Sequence, residues 1–463
     1  MSTSGRRIDI KVYLDVWEWP SGKLKKTLDF TNDILNFRFQ KTIKSPEGTC
    51  QISMLPQRLD LHLMDVVKPM DVIRIYEFGT LKFIGYVQRV SYGGSIANDG
   101  KPSRNSTITC QQMGGLLAYA SIGIGLGTAL GLDSDGLIDA SAKLSKDILD
   151  ATQDGISFTE MLTVLVNGFF DFIKLIGGSN LLGYINEYFD ATSGLTSEDV
   201  PGLPRTFELF TGTEQSITFW DVAEQLVERP FNEFWIDNGP RKVSINGKDQ
   251  TLPEKVCLVF RPTPFNGSKR QGSTDLAFDS LPILKVDRDH LVSFDLSRNM
   301  DEVYTMYSVK EAAFQMSEIA RLLLGQFVVD TDKIGQYLLK PLITELFFTR
   351  MESVTRDKVE MTKGKMEIAA KEAAETLYNW FRNNDQFLSG VISMMVPTDP
   401  DMDPKIGQRI QVYGLEGQFY VEGIAHTWAY QGALKTDLTV TRGFNGNKPM
   451  ILSDSIFNRS VTR

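Results

Sequence analysis

Histidine and cysteine are scarce in this 463-residue chain, with three of each, and the scarcity excludes a good deal of chemistry. His62, His290 and His426 are too few and too scattered for a nucleophilic triad or a histidine metal cluster, and no H-E-x-x-H pair occurs. Cys50, Cys110 and Cys257 lie far apart, odd in number and without a C-x-x-C pair, which points to a reducing compartment and no disulfide framework. There is no P-loop and no G-x-S-x-G. Positive charge is not in excess, since the formal charge is −9, and a basic nucleic-acid binder is disfavoured. The N-terminal Met1 to Arg7 is short and polar, without the apolar run of a signal peptide.

Two isolated hints of chemistry are weak. Asp399, Asp401 and Asp403 are spaced like the start of a calcium loop, but Pro404 stands at the sixth position and Ile410 at the twelfth, where such a loop needs Gly and Glu. An acidic turn before a strand is the plainer reading. His426, between Ala425 and Thr427 in an expected strand, reads as a packed or hydrogen-bonded strand residue. No catalytic residue, cofactor or metal ligand is assigned.

What the chain does have is an internal echo. Asp71-Val72-Ile73-Arg74-Ile75-Tyr76 followed by Lys82-Phe83-Ile84-Gly85-Tyr86-Val87 is matched by Gln408-Arg409-Ile410-Gln411-Val412-Tyr413 followed by Phe419-Tyr420-Val421-Glu422-Gly423-Ile424. At an offset of 337 (410 − 73), Ile73 meets Ile410, Ile75 meets Val412 and Phe83 meets Tyr420. Apolar residues alternate in both first arms, the period of a strand with one wet face. Thr107 to Cys110 and Asp437 to Val440 continue the two units as third strands.

Around these units the text alternates between β and helical character, and at this length several domains are expected. The reading is α+β: two similar antiparallel β-barrel domains with two largely helical insertions. Residues 1–112 form the first barrel and 113–200 an apolar helical insertion. Residues 201–308 with 394–446 form the second barrel and an associated β region, 309–393 a second helical insertion, and 447–463 a tail. In the second insertion Ile319, Leu322, Leu323 and Phe327 make one apolar stripe, and Ile334, Leu338, Leu339, Leu342 and Ile343 another. Met113 to Leu132 carries no charged side chain and spaces Gly123, Gly127 and Gly131 as G-x-x-x-G, which lets helices approach closely in lipid. Five glycines from Gly114 to Gly127 equally suit a loop or a short buried helix.

Several stretches carry a family resemblance: Phe37-x-Phe39-x-Lys41, Gly48 to Met54, Phe260-Arg261-Pro262-Thr263-Pro264-Phe265, Asp301 to Thr305, Ile406 to Ile410, and Phe419 to Trp428 with Leu438 to Gly443. Together with the hairpin at Asp71 to Val87, they resemble contractile-tail baseplate hub proteins of phages and phage-tail-like particles. The resemblance implies a homotrimer whose two barrels per chain make a pseudo-six-fold ring, in the virion tail baseplate, assembled in the host cytoplasm. It implies as partners a central spike protein, a tail tube or tube-initiator protein, baseplate wedge proteins and a tape-measure protein. DNA would pass through the lumen without specific nucleic-acid binding. The expected subunit-interface residues are polar positions on the paired strands: Arg74, Gln88, Arg89, Arg409 and Gln411. The other function class is a membrane-active or secreted effector acting through 113–132, with Gly123, Gly127 and Gly131 packing in a membrane or at the trimer axis.

Overall fold

Among the described residues of the computed structural model, antiparallel strands predominate and helices are few. The structure describes residues 9–119, 218–264, 281–311, 326–346, 371–395 and 403–449, each with short interruptions, and scattered residues between 166 and 191. First come β1 (Ile10–Glu18), β2 (Lys23–Asp29), β3 (Ile34–Thr42), β4 (Ser45–Met54), the small β5 (Gln57–Arg58) and β6 (Leu61–His62), and α1 (Leu63–Val66). The first repeated unit follows as β7 (Val72–Glu77), β8 (Thr80–Ile96) and β9 (Pro102–Gln112). After α2 (Gly115–Tyr119) and β10 (Asp190–Ala191) come α3 (Phe219–Val227), β11 (Asn232–Asn238), β12 (Arg241–Ile245), β13 (Lys248–Leu252) and β14 (Val256–Pro262). The last part holds β15 (Ile283–Val286), β16 (Leu291–Ser297), β17 (Met306–Glu311), β18 (Gln326–Val329), α4 (Thr331–Tyr337), β19 (Pro341–Leu346) and β20 (Leu388–Met395). It closes with β21 (Arg409–Val412), β22 (Gln418–Ala429), β23 (Lys435–Asn445) and β24 (Lys448–Pro449).

One 14-stranded sheet contains both repeats, in the order β16-β20-β23-β22-β3-β4-β9-β8-β7-β1-β2. The first module is the run β3-β4-β9-β8-β7 and the second is β16-β20-β23-β22-β21, so the same spatial order arises from the same chain order twice. The modules also share two irregularities. A bulge interrupts β3 against β4 between Ile34 and Asn36, and β16 against β20 between Leu291 and Ser293. Another interrupts β8 between Val87 and Arg89, and β22 between Val421 and Gly423. A bulge bends and twists a strand at a fixed place, so matching bulges mean matching curvature. Even the strand entry recurs: Met70 and Gly407 both have left-handed backbone, at φ 72 and 78, and donate to the carbonyls of Val87 and Val421. The sixth strands differ, because β1 joins β7 antiparallel whereas β15 joins β21 parallel.

Register corrects the alignment read from sequence. Ile73 lies opposite Gly85, and Ile410 lies opposite Phe419, so the first arms do match at 337 (410 − 73) but the second arms match at 334 (419 − 85). Tyr420 is thus the counterpart of Tyr86, not of Phe83. The third strands match at 330, with Cys110 opposite Val87 and Val440 opposite Val421. Cys50 sits across from Cys110, and both thiols are free and buried.

Three cores result. The first module packs Leu14, Phe37, Phe39, Ile52, Ile75, Phe83 and Ile108; the second packs Ile392, Ile410, Val412, Phe419, Ile424 and Leu438. A third joins Val72, Ile84 and Tyr86 on the other face of the first module to α3, β11, β14, Tyr307 and Trp380. β7 is therefore buried on one face and partly covered on the other, where Val72 is buried while Arg74 and Tyr76 stay half-buried.

Two further expectations change. The modules form one continuous sheet, and the second takes β20 entire, so a boundary at 393/394 falls inside a strand. From Lys310 the expected helical block is mixed: α4 spans Thr331–Tyr337 and residues 373–381 are helical, but Phe327 lies in β18 and Leu342 and Ile343 in β19. The left-handed Leu338 (φ 60) ends α4 and Pro341 opens a strand, so the apolar spacing there is not a helix stripe. Ile319, Leu322 and Leu323 lie outside the described residues. Met113 and Leu117, at the start of the apolar insertion, are fully buried in the third core, and Gly114 lets the backbone approach the side chain of Ile236.

Ile52-Ser53-Met54 and Ile392-Ser393-Met394 are the same tripeptide at equivalent positions, and both isoleucines are fully buried. Ile52→Ala and Ile392→Ala should each cost about 2–5 kcal/mol in denaturant unfolding; a loss below about 1 kcal/mol at either site would contradict equivalent packing.

Candidate assembly surfaces

The duplicated strand modules make the surfaces that join them the sites to build. Within the chain the modules meet where β22 pairs with β3, from Gly423 opposite Thr42 to Ala429 opposite Asn36. Ile43 N donates to Glu422 O at 2.9 Å, and Tyr430 N to Leu35 O at 2.7 Å, so backbone bonds bracket the seam. Aromatic side chains fill it: Phe37 stacks on Trp428 at 5.5 Å between ring centroids, and Phe39 meets His426 at 4.6 Å. Burial holds the His426 imidazole well below its ordinary pKa, so it stays neutral beside Thr436, whose Oγ1 is 2.8 Å from Nδ1. It packs and hydrogen-bonds in its strand.

Buried polar groups tie the seam to the neighbouring sheet. Lys41 on β3 bonds Asp237 on β11. Arg261 on β14 donates to Glu233 Oε2 at 2.9 Å, to Gly407 O at 2.7 Å and to Tyr420 OH at 2.6 Å, with its guanidinium 4.9 Å from the Trp235 ring. Tyr420 donates in turn to Glu233, and its hydroxyl is held far above the ordinary phenol pKa by burial and by that carboxylate. A side chain at Gly407 would start 2.5 Å from the Arg261 guanidinium, so glycine there serves both the turn and the close approach. Lys82 bonds Asp403 and lies 3.4 Å from Glu77. Desolvation raises the Glu77 carboxyl from 4.5 to about 7, with Asp403 adding to the rise and Lys82 opposing it. Such networks position strands. Among the described residues no group of three His, Cys, Asp or Glu could hold a metal ion, and Asp403 is engaged with Lys82; Asp399 and Asp401 lie outside the described residues.

No family model matches the chain, and no curated protein matches it. Solved structures do. A tail protein from Neisseria meningitidis MC58 superposes with a TM-score of 0.50 at 11% identity, covering 93% of this chain and 96% of that one. The chain shares the fold of that tail protein. The 43 kDa tail protein of prophage MuSo2 from Shewanella oneidensis has 12% identity, 94% and 98% coverage, and a TM-score of 0.46.

On this tail-protein fold the expected interface residues are scattered. Arg74 is half-buried in a shallow groove with Lys11, Tyr13 and Tyr76, and donates to Asp15 at 2.9 Å. Gln88 and Arg89 are exposed on β8, just past the stretch that β7 covers, and Gln411 is half-buried. Arg409 is not on an exposed face: only 6% exposed, it donates to Leu281 O at 2.8 Å and to Gln418 Oε1 at 2.8 Å. Covered by β15, its strand is interior, and Arg409 links β21 to β22 and to the approach of β15. Gly123, Gly127 and Gly131 lie outside the described residues. Among the described residues no helix is long and apolar enough to cross a membrane.

Sequence reading overlooked the edge strand β16, the counterpart of β3. The recurrence of Ile-Ser-Met at 52–54 and 392–394 was the available signal, since it places β20 on β4 and hence β16 on β3.

Folding holds a proton on Glu77 up to about pH 7, whereas an unfolded carboxyl releases it near 4.5, so stability falls as pH rises through that window. Glu77→Gln should flatten the dependence of Tm on pH between about 4.5 and 7 and help most above pH 7; an unchanged slope would contradict the buried-carboxyl account.

Proposed function

We propose that the chain is a structural baseplate hub of a contractile phage tail or tail-like injection device. It acts as a homotrimer, and its two modules per chain make six similar arcs around a channel. Through them it adapts a six-fold tail tube, or its initiator, to a three-fold central spike. Wedge proteins surround it, and the tape-measure protein and DNA pass the lumen without specific nucleic-acid binding. It belongs to the virion tail baseplate, is assembled in the host cytoplasm, and does no chemistry.

The observation that carries this reading is the duplication itself: the same five-strand module, with two matching bulges, twice in one sheet. A part that must match six-fold symmetry with three chains needs two near-equivalent surfaces per chain. The tail-protein fold supports the same reading, and a net charge of −9 suits a channel that must not grip a polyanion. Two domain divisions follow from it: a first module within 1–112, and a second within 281–298, 388–395 and 403–446, with 113–280 and 299–387 as decorations.

Light scattering of the purified 52.0 kDa chain in detergent-free buffer tests the proposal. The expected mass is that of three chains, with ring-shaped, near six-fold views in negative stain. A chain that stays single even when co-expressed with the spike and tube proteins of its own particle would overturn it.

A further inference from the structure

The outward face of β1 and β7 carries a small groove that the hub reading does not use. Lys11, Tyr13, Thr27, Arg74, Tyr76 and Gly79 line it, around a volume of about 310 Å³. Register sets its chemistry, because Lys11 lies opposite Tyr76 and Tyr13 opposite Arg74, so two cations and two rings alternate across the strand pair. One cation is fixed. Arg74 donates to Asp15 at 2.9 Å and to the Tyr76 hydroxyl at 3.2 Å, with its guanidinium 5.8 Å from the Tyr13 ring centre and 6.0 Å from that of Tyr76. Asp15 is itself held, by Thr27 Oγ1 at 2.6 Å and by the Tyr184 hydroxyl at 2.7 Å. Lys11 is exposed and pairs with no carboxylate among the described residues, while Asp29, opposite Tyr13 on β2, accepts from Thr31 N. Its charge is left open.

We propose that this groove binds an acidic segment of a partner protein, with one carboxylate on Lys11 and an apolar or aromatic side chain against Tyr13 and Tyr76. The inference stands apart from the hub reading, since it needs no count of copies.

Charge selects the ligand. Asp15 already neutralises Arg74, so the groove offers one uncompensated positive charge, which matches one carboxylate and falls short of the double charge of a phosphate. Arg74 Nε is buried without a hydrogen-bond partner among the described residues, a donor that the chain itself leaves unanswered. Shape selects the source. A groove of this volume is at the small end of sites that enclose a free ligand, and it suits one or two side chains of a segment anchored elsewhere. Gly79, in the turn between β7 and β8, keeps one end open: its backbone is left-handed at φ 78, and a Cβ there would meet nothing within 4 Å. Lysine also recurs on β2, as Lys23, Lys25 and Lys26, where it guards the open edge of the sheet. Lys11 lies on the strand inside that edge, so edge protection does not account for it.

Fluorine NMR of a capped Glu-Phe-Glu tripeptide carrying para-fluorophenylalanine, titrated with the intact chain, tests this. The resonance should broaden saturably. Lys11→Glu should weaken binding at least about tenfold, as should exchanging both glutamates of the peptide for glutamine, because each change removes a charge-assisted hydrogen bond. Lys285→Glu, the same charge reversal at an exposed position of β15 in the second module, should change binding by less than about twofold, since screening confines charge effects to near neighbours. Both lysines are exposed, so neither change removes a buried contact. Equal weakening by the two lysine changes, equal binding of the glutamine peptide, or no broadening at all would overturn the proposal. Displacement of the peptide by inorganic phosphate at lower concentration than by acetate would also overturn it, because the groove would then be a phosphate site. Light scattering reads the hub proposal separately: a trimer that does not bind the peptide removes only the groove.

Discussion

A strand at the edge of a sheet carries a row of backbone donors and acceptors that must find partners, and most of this chain's architecture follows from how that demand is met. The internal meeting of β22 and β3 satisfies it by hydrogen-bonding one module to the next, so two copies of a five-strand unit become one sheet. Because the joining is by backbone, it specifies direction and register without relying on particular side chains. The stacked Phe37 and Trp428 and the buried pair of Phe39 and His426 then exclude water from it. A neutral imidazole is suited to that place, since a charge there would have no solvent.

The seam alone would leave the modules free to flex about it. Buried ionic contacts oppose this by reaching from the sheet into β11 and β14, through Lys41 to Asp237 and through Arg261 to Glu233, Tyr420 and Gly407. Each connects segments distant in sequence, and each is satisfied within the chain, as buried charges must be. The third core completes the bracing, because Val72, Ile84 and Tyr86 face it while Ile73, Ile75 and Phe83 face the first module's own core. The hairpin that the sequence repeats is thus the element shared between two cores.

Much of this was legible beforehand. The first arms of the repeat were read at the right offset, because alternating Ile73, Ile75, Ile410 and Val412 leave no doubt about period. The second arms were misaligned by three residues, since Phe83 and Tyr420 look alike and only their pairing with the first arms shows that Tyr420 answers Tyr86. The kinship of β3 and β16 was invisible as wording: Phe-Arg-Phe against Phe-Asp-Leu shares little but the pleat. Arg409 was expected on an exposed strand face, and its burial comes from the approach to β15, which joins β21 parallel where β1 joins β7 antiparallel, so the first module offered no guide to it. Leu338 and Leu339 read as helix because apolar spacing at three and four residues cannot register a backbone that turns left-handed at Leu338.

If backbone pairing at the seam makes one sheet of two modules, backbone amides should report it. With Ile43 N bonded to Glu422 O and Tyr430 N to Leu35 O, the register makes Lys41 with Ile424 and Phe39 with His426 hydrogen-bonded pairs across the seam. Hydrogen exchange on the purified chain is the direct measurement. The account predicts that these four amides exchange slowly and are protected together. Exchange of these amides at the rate of exposed loop amides would contradict it.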